Sequence, residues 1–288
     1  MEGQFRVRTD LALEARECFE EDTELRGVEI EESYDEERDI RVTRVRITTE
    51  NGAKAMGKPM GTYLTLEAPR LSEPDEDYHR EVSVKLAEYL RKLLHTEEER
   101  SILVVGLGNR EVTPDALGPE AVGNLLITRH VIREYGRAAF KAEQVHRVSG
   151  LVPGVMAQTG METLEIVRGV AQETKPDVIV VIDALAARST RRLNRTIQLS
   201  DAGIQPGSGV GNHRNSLSRE TLGVPVVAIG VPTVVDAATI VYDATGDREK
   251  IAPNLHGMFV TPKDIDETVK SLSFTISEAL NLAMEGRT

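Results

Sequence analysis

The chain has 288 residues, a formal net charge of −12, one cysteine, no tryptophan and 4% aromatic residues. That length buries a full core unaided, and a lone Cys18 excludes an intramolecular disulfide and a Cys₄ zinc site. The acidity and the scarcity of aromatics argue against nucleic-acid binding. No apolar run reaches the roughly 18 residues of a membrane span, and the opening MEGQFRVRTDLALEARE lacks an apolar signal core, so a cytoplasmic setting without membrane contact is expected.

Taken in chain order, the first forty residues are polar. Glu29, Glu31, Glu32, Asp35, Glu36, Glu37 and Asp39 crowd one stretch that reads as a solvated loop or edge. Arg41 to Thr49 alternates like a strand with one moderately apolar face, Asn51-Gly52 signals a turn, and GTYLTLE (61–67) is a second β-rich run. A small antiparallel β unit is therefore expected over about 25–68. Tyr78 to His95 reads as a helix, with Val82, Leu86, Leu90, Leu93 and Leu94 on one face. Three short apolar runs follow, at 102–105, 177–183 and 223–231, and their lack of alternation suits strands buried on both faces of a parallel sheet. Helices are expected between and after them: Pro119–Tyr135, Gly160–Thr174, and Pro262–Glu285 with Thr261 as N-cap. The fold class is α/β: a three-layer sandwich with a mostly parallel central sheet between helices, plus the small antiparallel unit.

Ligands of open α/β sheets gather beyond the carboxyl ends of the strands. After the first run comes Gly106-Leu107-Gly108-Asn109 and then TPDALGP. The second run ends on Asp183, followed by ALAAR to Arg188. The third is followed by PTVVD. Three acids, Asp115, Asp183 and Asp236, are thus expected on one rim. A dinucleotide fingerprint would need glycine where Glu111 stands, and no Gly-Lys-Ser/Thr follows. Gly207-Ser208-Gly209-Val210-Gly211 reads as a flexible loop or a substrate-shaping one. Pro206 occupies the place where a nucleophile elbow needs its first glycine. The six histidines show no metal spacing, so neither metal nor cofactor is expected. Two carboxylates held together share a proton, and such a pair can activate water and protonate a carbonyl. Asp183, directly after five apolar residues, needs a partner. On spacing alone Asp115 reads first as a turn residue after Pro114, and Asp236 reads equally as a site acid or a helix N-cap.

At these residues the chain resembles the germination protease family of spore-forming bacteria. The segments that carry the likeness are VRTDLALEA, LVVGLGNREVTPDALGPEAVGNLLITRH, LVPGVMAQTGMET, VIDALAARS, IQLSDAGIQPGSGVGN and TLGVPVVAIGVPTVVDA. The resemblance implies an atypical aspartic endopeptidase of the spore core that degrades small acid-soluble spore proteins during germination. It implies a fold like that of the hydrogenase maturation proteases and a homo-oligomer, possibly a tetramer. Carried over, the family's catalytic aspartates fall on Asp115 and Asp183; from the rim and glycine-loop reading, Asn109, Arg188, Ser208 and Asp236 are expected as supporting or substrate-binding residues. The family is made as a zymogen that cuts itself, and the matching junction is Asp10–Leu11. Residues 1–10 would then be a propeptide and 11–288 a single peptidase domain, with mild acid as the expected trigger. The stretch before VRTD and the stretch 242–260 are both shorter than in well-known members. Two other readings fit the same residues: a metal-dependent maturation-type peptidase, with Asp115 and Asp183 as ligands, or a non-catalytic peptide-binding protein.

Overall fold

A computed structural model describes residues 9–19, 25–140, 144–207 and 215–285. In chain order its elements are α1 (Ala12–Glu17), β1 (Val28–Asp35), β2 (Ile40–Ile47), α2 (Glu50–Met56), β3 (Gly61–Glu67), α3 (Glu76–Leu94) and β4 (Ser101–Gly106). There follow α4 (Leu117–Gly123), α5 (Arg129–Tyr135), β5 (Arg147–Leu151), α6 (Met156–Thr159), α7 (Thr163–Thr174), β6 (Val178–Ala187) and β7 (Thr196–Ser200). The chain then runs through α8 (Arg219–Leu222), β8 (Val226–Asp236), α9 (Ala237–Thr245), β9 (Phe259–Val260) and α10 (Ile265–Ala283).

The strands form one mixed sheet in the order β1-β2-β3-β7-β8-β6-β4-β5, with β9 also on β8. The apolar runs behave as their patterning requires. Strands β8, β6, β4 and β5 are parallel neighbours, and β6 is buried along almost its whole length. On one face, Val82, Leu86, Leu90 and Leu94 of α3 pack with Leu272, Ile276 and Leu280 of α10 and with Leu117 and Ala121 of α4. Most of these side chains are fully buried, each contributing about 1.5–3 kcal/mol. On the other face, Leu164 and Val167 of α7 cover Leu103, Val105, Ile179 and Val181. The N-terminal strands are antiparallel and join the parallel part through β3 and β7. On the outermost pair, Glu29, Glu31 and Glu32 of β1 form ion pairs with Arg46, Arg44 and Arg41 of β2.

Several boundaries differ from the sequence reading. Asn51-Gly52 is no turn but the first turn of α2, because the Thr49 hydroxyl caps the Gly52 N–H at 3.1 Å. The expected helix 119–135 is two helices, broken where Asn281 of α10 accepts from Leu126 N and donates to Asn124 O. The helix expected from Gly160 begins at Thr163, since Gly160 is the left-handed cap of the short α6. The last helix begins at Ile265, because the Thr261 hydroxyl donates to Thr233 O at 2.8 Å instead of capping it. Strands β6 and β8 run on together past the predicted ends, through a bulge between Leu185 and Ala186. Asp183 therefore lies within its strand, and Pro232 to Asp236 are strand rather than loop.

Candidate active site

The loop between β4 and α4 is folded tightly onto β6. Leu107 N donates to Ile182 O at 2.8 Å, directly before Asp183. Glycine makes that approach possible. A Cβ on Gly106 would stand 2.2 Å from Gly118 O, and one on Gly118 would stand 2.4 Å from Leu107 O and 2.6 Å from Ile182 O. Gly108 has φ +116°, and a Cβ there would meet Asp115 O at 1.9 Å. The two glycines that fail as a nucleotide fingerprint thus serve a different purpose: they let the backbone carrying Asp115 close over the strand carrying Asp183.

Asp115 ends a single 3₁₀ turn, Thr113–Asp115, that rests against β6, β8 and α10. Its half-buried carboxylate accepts from the Asn109 N–H at 2.7 Å. Asn109 in turn accepts through Oδ1 from Glu111 N at 3.0 Å and from Gln158 Nε2 at 3.1 Å. The turn is fixed from the other side by Thr233 of β8, whose hydroxyl donates to Pro114 O at 2.7 Å. Thr233 lies inside the PTVVD segment, but nothing in that segment assigns it this role. Asp183 is buried, and its Oδ1 accepts from Ala184 N at 3.0 Å. In the sheet it is level with Gly230 of β8, which is level with Gln198 of β7.

The other expected site residues lie elsewhere. Asp236 is the N-cap of α9, accepting from Thr239 N at 2.9 Å and from the Thr239 hydroxyl at 3.2 Å. It lies six residues along β8 from Gly230, about 20 Å at the strand rise. Arg188 forms a two-point ion pair with Asp243, which holds its guanidinium charged above the ordinary range, and its N–H donates to Glu14 at 2.7 Å. It therefore ties α1 to α9 rather than serving the aspartates. Ser208 falls outside the described residues. Of the histidines, His79 bridges Thr275 and Glu73 O, and His146 accepts from Arg100 N, so both are core joints. Among the described residues no group of three His, Cys, Asp or Glu side chains is placed to hold a metal ion.

Asp10 and Leu11 are both well anchored. Asp10 N donates to Ala186 O at 3.0 Å, the Asp10 carboxylate accepts from Ala186 N at 2.9 Å, and Leu11 is fully buried. Lys58 and Gln198, absent from the sequence reading, donate to the Asp10 carbonyl at 2.8 and 3.3 Å. Contacts 48 and 188 residues apart leave no local signal.

The family model described as germination protease matches residues 8–246. A germination protease of Caldanaerobacter subterraneus subsp. tengcongensis is 45% identical over 97% of this chain and 94% of its own length. One from Clostridium tetani is 43% identical over 97% and 95%, and one from Priestia megaterium is 49% identical over 84% and 66%. Among solved structures, a nickel–iron hydrogenase maturation protease from Thermococcus kodakarensis aligns with 67% of this chain and 98% of its own, at 20% identity and a TM-score of 0.35. A family match over most of the chain, with relatives this similar along nearly their full length, shows that the chain belongs to the germination protease family of peptidases.

Proposed function

We propose that the chain is an endopeptidase that hydrolyses small acid-soluble spore proteins with Asp115, Asp183 and one water, and that it cuts itself at Asp10–Leu11. The observation that carries this reading is the glycine-lined closure of the Asp115 loop onto β6 at Ile182, one residue before Asp183.

In the proposed step the pair shares one proton. The ionised carboxylate takes a proton from water as the water oxygen bonds to the carbonyl carbon, and the protonated partner donates to the carbonyl oxygen. The tetrahedral diol then breaks its C–N bond as a carboxyl protonates the nitrogen, giving an acid and an amine. The two aspartates act jointly, since a coupled pair has no residue-specific assignment.

The test incubates a small acid-soluble spore protein with wild type, Asp115→Asn and Asp183→Asn, each with and without chelator, and reads substrate and enzyme by intact mass. Fragments made only by wild type, with chelator having no effect, support the dyad. Both variants should lose at least about 10³-fold in turnover while melting near wild type. Wild-type-like cutting by either variant refutes the dyad, and chelator-sensitive cutting replaces it with a metal mechanism. Loss of residues 1–10 from the enzyme at mild acid pH would mark self-processing, and an unchanged N-terminus after prolonged acid incubation would dismiss it.

A further inference from the structure

Among the described residues, β5 has a strand on one side only, its parallel neighbour β4. Along such a strand the backbone groups of alternate residues point to opposite sides. Arg147 points inward, its N–H donating to Arg100 O at 2.8 Å. Val148 points outward, and Thr128 closes that position. The Thr128 hydroxyl accepts from Val148 N at 2.9 Å, and the Thr128 N–H donates to Val148 O at 3.2 Å. The next outward positions are Gly150 and Val152. Both are exposed, and their outward N–H and C=O groups make no hydrogen bond among the described residues. An edge of this kind can take a further strand unless charge or proline prevents it. The chain as a whole is 28% charged, yet Val148 to Met161 holds no charged residue, and its one proline, Pro153, falls on the inward register.

The flanks of this edge are apolar on both faces of the sheet. A Cβ on Gly150 would meet Val122 Cγ1 at 2.9 Å and Ile127 Cδ1 at 3.1 Å, so these two half-buried side chains lie beside the glycine. Leu151, also half-buried, packs on the opposite face with the cluster of Leu103 and Leu164. Side chains of an added strand alternate between the two faces, and each set would meet aliphatic surface.

The edge also leads to the two aspartates. Val105 is level with both Leu151 and Val181, so Val152 is one residue short of the level of Asp183. A strand added beyond β5 would lie three strand spacings from β6, about 15 Å, a distance that about four or five extended residues cover. The ground between belongs to the loops that hold Asp115. Exposed Met156 shares α6 with Gln158, and exposed Val112 donates its N–H to Asn109 O at 3.0 Å. Gln158 is bonded to Asn109, whose N–H serves the Asp115 carboxylate.

We propose that the outer edge of β5, at Gly150 and Val152, is a docking site for an extended, apolar segment of the protein substrate, which joins the sheet as one more strand and then crosses Met156 and Val112 to reach Asp115 and Asp183. The proposal rests on the reading of the chain as a peptidase that uses those two aspartates. Main-chain pairing supplies a grip that is indifferent to sequence, and the apolar flanks favour segments without charge. The docked segment lies about four or five residues from the bond that is cut, so the edge governs how tightly a protein is held and leaves the choice of bond to the dyad's own surroundings.

The test mixes the full chain carrying Asp183→Asn with an intact small acid-soluble spore protein at saturating concentration and follows amide hydrogen exchange residue by residue by NMR. The Gly150 and Val152 amides should exchange at least tenfold more slowly in the mixture than in the enzyme alone. In the wild-type background, Gly150→Pro removes an outward donor and spares the inward pairing. It should raise KM for the same spore protein at least tenfold, with a smaller change in kcat. Unchanged exchange at both amides, or an unchanged KM, overturns the proposal. Slowing that grows with enzyme concentration when no spore protein is present would assign the edge to contact between copies of this chain, and also overturns it. If Gly150→Pro does not fold, the exchange measurement decides alone, since it is made on a chain whose edge is unaltered. Slower exchange in the mixture without any cutting by wild type keeps the docking edge and removes the peptidase reading. Cutting by wild type with exchange unchanged does the reverse.

Discussion

Thr233 illustrates how much of the site rests on residues with no chemistry of their own. Its hydroxyl holds the Pro114 carbonyl while its own carbonyl receives Thr261, so one residue joins the Asp115 turn to β8 and to the approach of α10. Thr233→Val keeps the shape and removes the donor. It should cost about 1 kcal/mol of stability and, on the proposed joint action of Asp115 and Asp183, lower kcat more than it raises KM. Urea denaturation together with steady-state hydrolysis of a spore protein checks both. Gly118→Ala meets two backbone carbonyls and an N–H that cannot move aside, and should cost about 3 kcal/mol, the upper end of ordinary overpacking, read as a lowered thermal midpoint. At this scale the sequence was unevenly informative. Asp183 stands out because an acid after Val-Ile-Val-Val-Ile needs a reason to be there. Asp115 looks like any turn residue; its place after a buried strand made it one of three candidate acids, and the family likeness alone chose it over Asp236. Lys58 and Gln198 show nothing, because their partner is brought to them by the whole sheet.

Among the elements, position was more legible than extent. The helix α3 and the strand β4 followed their apolar patterning to within two residues, β6 and β8 ran on past theirs by four and five, and the parallel strand β5, short and half exposed, was not read from the sequence. The helices whose ends moved were those whose ends are set from outside. The break between α4 and α5 is the clearest case, because no proline or glycine pair forces it. Asn281 holds its first half, and Thr128 holds its second, where the hydroxyl donates to His146 O at 2.5 Å and accepts from Val148 N at 2.9 Å. Thr128→Val leaves the His146 carbonyl just before β5 and the Val148 N–H within it wanting and should cost about 1–3 kcal/mol. The loss should concentrate on β5, so faster hydrogen exchange at residues 147–151 than in the rest of the sheet is the expected signature.

At the scale of the whole molecule, two histidines are buried among the described residues. His79 joins α3 to α10, and His146 supports the start of β4 and β5. Burial pushes both below the ordinary histidine range. Their contribution to stability is complete above pH 6.5. As pH falls through 6.5 the unfolded chain takes up protons that the folded chain refuses, so stability declines by up to about 1.4 kcal/mol per pH unit for each histidine until its folded-state pKa is reached. Urea midpoints should therefore drop between pH 7 and pH 5, and His146→Gln should flatten that slope. A profile that is level across this range would contradict the neutral-histidine reading. The α/β class was visible in the sequence because buried parallel strands leave a compositional trace. The way the antiparallel strands fuse with them into one sheet was not, since β3 and β7 are far apart in the chain. That fusion puts β1 at the rim of a long sheet, where its outward N–H and C=O groups are an open template for another strand. The glutamates that β1 pairs with the arginines of β2 answer that hazard. A second copy laid edge to edge would set acid against acid, which raises the cost of pairing through this edge, and concentrated salt, which shortens the reach of such repulsion to about 3 Å at 1 M, is the condition under which the protein should begin to aggregate through it.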